Sequence, residues 1–167
     1  WMELSAFTAV FRTHEGNQPE HNHQFDSDQE TLQQFARCTK LYVAWQDYRR
    51  RLVQEAADTG MPIARHLFLH HPRDRRAQRL SHEEFLVGSD FLFVPVLDPG
   101  VKKVRAYLPH GSWIHLWSGR RFDVTSADVG MDVEVDAPLG QPALFYRAES
   151  DAASELLQRA RAAGLLN

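Results

Sequence analysis

The chain has 167 residues, 43% of them apolar and 25% charged, an ordinary globular balance with material for one sizeable core or two small ones. Nineteen Lys and Arg against 22 Asp and Glu leave a net charge of −3, which speaks against a nucleic-acid partner. The longest apolar run, Phe91 to Leu97, is far shorter than the roughly 20 residues a membrane span needs, and the lone Cys38 excludes an internal disulfide and any multi-cysteine metal site. A soluble cytoplasmic protein with no membrane partner is the default expectation. The opening Trp1-Met2-Glu3-Leu4 carries neither an initiator Met nor a signal core, so the sequence is expected to be a piece of something longer.

Residues 1 to 9 read as the tail of a helix, and Phe11 to His14 as a short strand, because Val10, Phe11 and Thr13 favour extended backbone. Glu15 to Asp26 is a polar loop broken by Gly16, Asn17, Pro19 and Asn22. Ser27 followed by Glu30 fits a capping box at a helix start. Leu32, Phe35, Ala36, Thr39, Tyr42, Val43, Tyr48, Leu52 and Ala56 then recur at helical spacing until Gly60 and Pro62. An unbroken helix over that run would be roughly 45 Å long, so a kink or break is expected near Trp45 to Tyr48.

After Pro62 the period changes to short extended segments: Ile63 to His70, Phe85 to Val87, Phe91 to Leu97, Val104 to Leu108, Trp113 to Trp117, Val133 to Ala137 and Ala143 to Tyr146. Turn signals such as Asp98-Pro99-Gly100, Pro109-His110-Gly111 and Ser118-Gly119 separate them, the pattern of an antiparallel β-sandwich. Ala152 to Ala163 reads as a terminal helix. The boundary falls near residue 60, between a βα piece and an all-β module, and the βα piece is expected to be poorly stable alone.

His14 is the residue that most invites a functional reading, since it ends a predicted strand that leads into a loop and a helix, and in a β/α barrel such strand ends build the active site. Arg12, Glu15 and Asn17 share its neighbourhood, although one carboxylate without a partner is weak evidence for acid–base work. Among nine histidines, His21-x-His23 and His70-His71 tempt a metal reading, but no further ligands stand at suitable spacing, so no metal site is assigned. Glu83 and Glu84 are expected to be solvated carboxylates. Arg49-Arg50-Arg51 and Arg73, Arg75, Arg76 and Arg79 are expected to pair with carboxylates or line solvated faces rather than hold phosphate. Tyr107, Trp113, Trp117 and Tyr146 could offer a sugar-stacking surface or fill a core, and their alternation favours the core.

Taken together, these segments resemble glycoside hydrolase family 31. Trp1 to Phe7 followed by Phe11-Arg12-Thr13-His14 is similar to that family's "RW…GAF…P…R-x-H" segment, with Ala9 where the family usually has Pro. Met61 to Leu69 resembles its "PV-x-RPLFL" strand, with His66 replacing Pro, and Gly88 to Val96 its "G-D-x-L-L-V-A-P-V" signature. Tyr107-Leu108-Pro109, Gly111 to Gly119 and Ala137 to Arg147 continue the match in order to about residue 150. The stretch Arg12-Thr13-His14-Glu15-Gly16-Asn17 resembles the variant carried by the family's bacterial sulfoquinovosidases.

The resemblance implies the end of a (β/α)8 TIM barrel over residues 1–60, a β-sandwich over 61–150 and a C-terminal helix over 151–167. It implies a retaining α-glycosidase, acting on an α-glycoside of sulfoquinovose and needing no cofactor, whose Asp nucleophile and Asp acid/base both lie upstream of the segment matching Trp1. His14 then corresponds to a histidine that hydrogen-bonds the sugar, Arg12 supports the strand end, and Glu15 and Asn17 line the rim. An ordinary α-glucosidase or α-xylosidase of the family, or a non-catalytic carbohydrate-binding sandwich using Tyr107 or Trp113, stays open at this point, as does homo-oligomerisation.

Overall fold

The helical spacing before Gly60 resolves into two helices, α2 (Gln29–Ala44) and α3 (Gln46–Thr59), after a single turn α1 (Met2–Ser5). The structure, a computed structural model, describes residues 1–166. The break falls at Trp45, whose φ of −107° and ψ of 20° leave the helical region, and whose indole N–H donates to the Ala6 carbonyl at 2.8 Å. Gly60 ends α3 in the left-handed conformation, φ +78°, where a Cβ would be penalised. Asp28, not Ser27, caps α2: its carboxylate accepts from the Thr31 N–H at 2.7 Å, while the Ser27 hydroxyl is used by the Gln24 N–H.

A large sheet has the order β1 (Ala64–Arg65), β2 (Phe85–Val87), β3 (Phe91–Val94), β8 (Ala143–Arg147), β5 (Gly111–His115) and β6 (Arg121–Val124), and every recorded pairing is antiparallel. A second sheet pairs β4 (Lys103–Leu108) with β7 (Met131–Asp136). Helix α4 (Asp151–Ala162) follows, capped by the Ser150 hydroxyl.

Side-chain alternation shows why β3 is buried along its whole length. Phe91 and Phe93 face α2, α3 and α4, together with Val87 and Leu144, whereas Leu92 and Val94 face the small sheet with Leu86, Phe145, Ala106, Leu108 and Val135. The large sheet is thus the middle layer, helices on one side and the small sheet on the other.

Besides the cap of α2, three expectations need correction. Phe11 to His14 form no strand: the segment is extended but finds no neighbouring strand among the described residues, and β structure requires a ladder. Only Ala64–Arg65 of the expected 63–70 strand pairs, because the chain turns into a 3-10 turn at Leu67–Leu69. Glu84 is not solvated. It is 4% exposed, facing the core between the sheets, where it accepts from the Tyr107 N–H at 2.9 Å, and burial pushes its carboxyl up to about 8. Glu83, its neighbour, is exposed.

Candidate active site

The segment after α1 has no strand partner, so side chains of α2 hold it. Phe11 lies 5.5 Å from the Phe35 ring and 5.4 Å from the Tyr42 ring, and the Tyr42 hydroxyl donates to the Ala9 carbonyl at 2.9 Å. Phe25, returning from the polar loop, also packs against Phe35, with ring centroids 5.0 Å apart. Between this aromatic cluster and α1 opens a cavity of about 620 Å³, lined by Met2, Leu4, Phe11, Arg12, His14, His23, Phe25 and Phe35 among others.

His14 stands on the exposed side of that cavity. Its Nδ1 accepts from the Gly16 N–H at 3.0 Å, a tight return that needs the positive φ of +78° at Gly16. A neutral imidazole that accepts at Nδ1 carries its proton at Nε2, so His14 is set up as a hydrogen-bond donor. The loop is pinned behind it: Asn22 and Gln24 side chains donate to the Glu15 carbonyl at 3.0 and 3.3 Å. Arg12 lines the same cavity. Glu15 and Asn17 are exposed and lie outside the cavity lining, on the loop beyond His14.

His23 lines the cavity although the sequence raised it only as a metal ligand. Its Nε2 is 2.7 Å from the Thr31 hydroxyl and 3.4 Å from the Asp28 carboxylate, which ties the loop to the start of α2. Among the described residues no group of three or more His, Cys, Asp or Glu side chains is placed to hold a metal. No Asp or Glu lines this cavity among the described residues either. These residues can orient a hydroxyl-rich ligand, but they do not contain the paired carboxylates of glycoside hydrolysis.

Sequence reasoning missed Phe35 and Tyr42 as supports of the site because their helical spacing marks them only as core-facing. The sugar-stacking alternative loses two of its rings. Trp113 is fully buried with its N–H donating to the Pro109 carbonyl at 2.8 Å, and Tyr107 is buried with its hydroxyl donating to Asp74 at 2.7 Å. The arginine clusters pair with carboxylates in part: Arg51 with Glu155 at 2.9 Å, Arg73 with Asp128 at 3.3 Å, and Arg76 with Asp132. No helix among the described residues is long and apolar enough to cross a membrane.

Residues 60–150 match the glycosyl hydrolase family 31 C-terminal domain, and the chain belongs to that family. Among its relatives, it is 46% identical over 151 residues to the sulfoquinovosidase of Agrobacterium fabrum, covering 90% of this chain and 22% of that protein. The sulfoquinovosidase of Escherichia coli is 41% identical over 151 residues, again covering 90% of this chain and 21% of the relative. A solved family 31 sulfoquinovosidase from E. rectale, in complex with an aza-sugar inhibitor, superposes with a TM-score of 0.88 at 35% identity, covering 97% of this chain and 23% of that one. The chain therefore spans less than a quarter of the length of these relatives.

Proposed function

We propose that this chain forms the C-terminal part of a retaining α-glycosidase that hydrolyses sulfoquinovosides, with residues 1–60 closing a catalytic (β/α)8 barrel. The observation that carries the reading is His14, fixed by Gly16 as an Nε2–H donor at the mouth of a cavity, within a chain whose relatives named above are sulfoquinovosidases.

His14 donates to a ring hydroxyl of the bound sugar. A hydrogen bond of that kind strengthens as the oxocarbenium-like transition state develops, so it accelerates the reaction rather than merely tightening binding. Arg12 supports the cavity edge, while Glu15 and Asn17 sit outside the cavity lining, on the loop beyond His14. The nucleophile and the acid/base, two carboxyls roughly 5–5.5 Å apart in a retaining site, come from sequence preceding this segment. The 167 residues alone therefore hydrolyse nothing. A cytoplasmic location belongs to the proposal and suits the free, buried Cys38.

The test uses the complete enzyme. His14→Ala lowers kcat/KM on an aryl sulfoquinovoside by about 10²-fold; a loss under about threefold removes His14 from the site. Comparison of sulfoquinovosyl and glucosyl aryl glycosides fixes the substrate class, and a preference for the glucoside or xyloside would make this an ordinary member of the family.

A further inference from the structure

Tyr42 lies on α2, one helix away from the loop that carries His14, and the sequence offers it no role beyond packing. Its environment is more specific than packing requires. The phenol hydroxyl donates to the Ala9 carbonyl at 2.9 Å, a bond that spans 33 residues. The ring packs against Phe11, as does Phe35, and the Arg49 guanidinium lies over it, 3.5 Å from the ring centroid. Arg49 also donates to the Tyr42 carbonyl at 2.9 Å, and burial lowers its pKa. Trp45 completes the wall: its ring lies edge-on to Tyr42, 6.1 Å away, while its N–H holds the Ala6 carbonyl.

Residues 6–14 thus run across one face of α2, bound at Ala6 by Trp45, at Ala9 by Tyr42 and at Phe11 by two aromatic rings. No strand ladder shares the task among the described residues. Because His14 follows Phe11 by three residues, the position of the imidazole depends on these anchors. Within the helix, Thr39 and Tyr42 are three residues apart and face different neighbours: the Thr39 hydroxyl returns to the Phe35 carbonyl at 2.8 Å, so the helix is satisfied internally there and the outward reach to the loop belongs to Tyr42.

We infer that Tyr42 is a positioning residue for His14, its hydroxyl fixing the backbone at Ala9 so that the imidazole meets the substrate hydroxyl in one orientation. The inference rests on the proposed role of His14. Displacement of a transition-state donor by a fraction of an ångström weakens a directional bond, while the uniform part of substrate binding is untouched.

The test is a double-mutant cycle in the complete enzyme with Tyr42→Phe, His14→Ala and the pair. Tyr42→Phe retains the ring, its contact with Phe11 and the Arg49 stacking, so only the hydroxyl is lost. It should lower kcat about five-fold with KM within about twofold and the thermal midpoint within about 2 °C of the parent. In the His14→Ala background the same substitution should change kcat less than about twofold, since there is no imidazole left to aim. An undiminished Tyr42→Phe effect in that background overturns the inference, as does no Tyr42→Phe effect on an enzyme that His14→Ala cripples. A harmless His14→Ala overturns the reading of the site itself, and the inference with it, which keeps the two failures apart.

Discussion

His71 sits among positive charge. Its Nε2 is 3.4 Å from an Arg147 guanidinium nitrogen, and its neighbour His70 places Nε2 3.1 Å from Arg65. Each imidazole nitrogen can accept from its arginine only while unprotonated. Burial, first, and then Arg147, His70 and His110 push the His71 pKa down to about 4, against a smaller opposing pull from Asp74. The folded value lies below the ordinary 6.5, so between those two pH values the unfolded chain binds the extra proton. Stability from this site is complete above pH 6.5 and falls as the pH drops toward 4. His71→Gln, which keeps an acceptor for Arg147 without a titrating group, should therefore flatten the acid limb of the stability curve by on the order of 2 kcal/mol in urea titrations across that range. An unchanged acid limb would mean the imidazole is free to protonate in place. Glu84 acts in the opposite sense. Its pKa is raised from 4.5 to about 8, so its contribution is complete below 4.5 and is lost as the pH climbs through 8. Glu84→Gln should keep the acceptor for Tyr107, gain relative stability on the alkaline side, and leave the acid limb to His71; equal pH slopes in parent and variant between pH 6.5 and 8 would count against a buried carboxyl there.

Between elements, the docking of α3 onto the turn joining β2 and β3 depends on one phenol and one glycine. The Tyr48 hydroxyl accepts from the N–H groups of Ser89 and Asp90 at 3.1 and 3.3 Å and donates to the Asp90 carboxylate at 2.7 Å. Gly88 permits this approach: its φ is +62°, and a Cβ there would overlap Tyr48 and Leu52. Tyr48→Phe should cost about 1–3 kcal/mol by leaving turn donors unpaired. Gly88→Ala should cost more, since backbone strain and overlap add, and a loss under about 1 kcal/mol in chemical denaturation would show that the turn can move aside. The glycine was legible in the sequence only as part of a family signature; its reason, a tyrosine 40 positions earlier, is a tertiary fact. The same limit explains other differences. The break at Trp45 and the stop at Gly60 follow from local rules and were readable. Strand β6, Arg-Phe-Asp-Val, alternates exposed and buried residues, but four residues are too short a run to stand out in sequence, and it is defined by pairing with β5. Phe11 to His14 gave the opposite error, since extended propensity does not supply a partner strand. For the proposed site, His14 stands out through its loop and the resemblance, whereas Phe35 and Tyr42, which pack against the same segment, are hidden in an ordinary helical stripe.

Across the whole molecule, the division near residue 60 does not coincide with a gap in the core. Cys38, Leu41 and Ala44 of α2 and Tyr48 and Leu52 of α3 belong to one apolar cluster with Phe91, Phe93 and Leu144 of the sheet and Ala153, Leu156 and Ala160 of α4. Polar links reinforce it over long sequence separations: the Glu3 carboxylate accepts from the Gly140 N–H at 2.6 Å, and Arg37 donates to the Gly140 carbonyl at 2.5 Å. Residues 12–23 contrast with this, being exposed throughout and held mainly by bonds within their own loop. Sharing of buried apolar surface is what makes unfolding cooperative, so the instability expected of residues 1–60 should be confined to the segment that does not share it. In native-state hydrogen exchange on the 167-residue chain, residues 12–23 should exchange with little protection. The amides of α2 and α3 should instead report the same opening free energy as β3 and β8, and in urea they should be lost in the same transition. If α2 and α3 exchange together at a distinctly lower free energy while the sheet stays protected, the two parts are separate folding units and the shared cluster contributes little to their union.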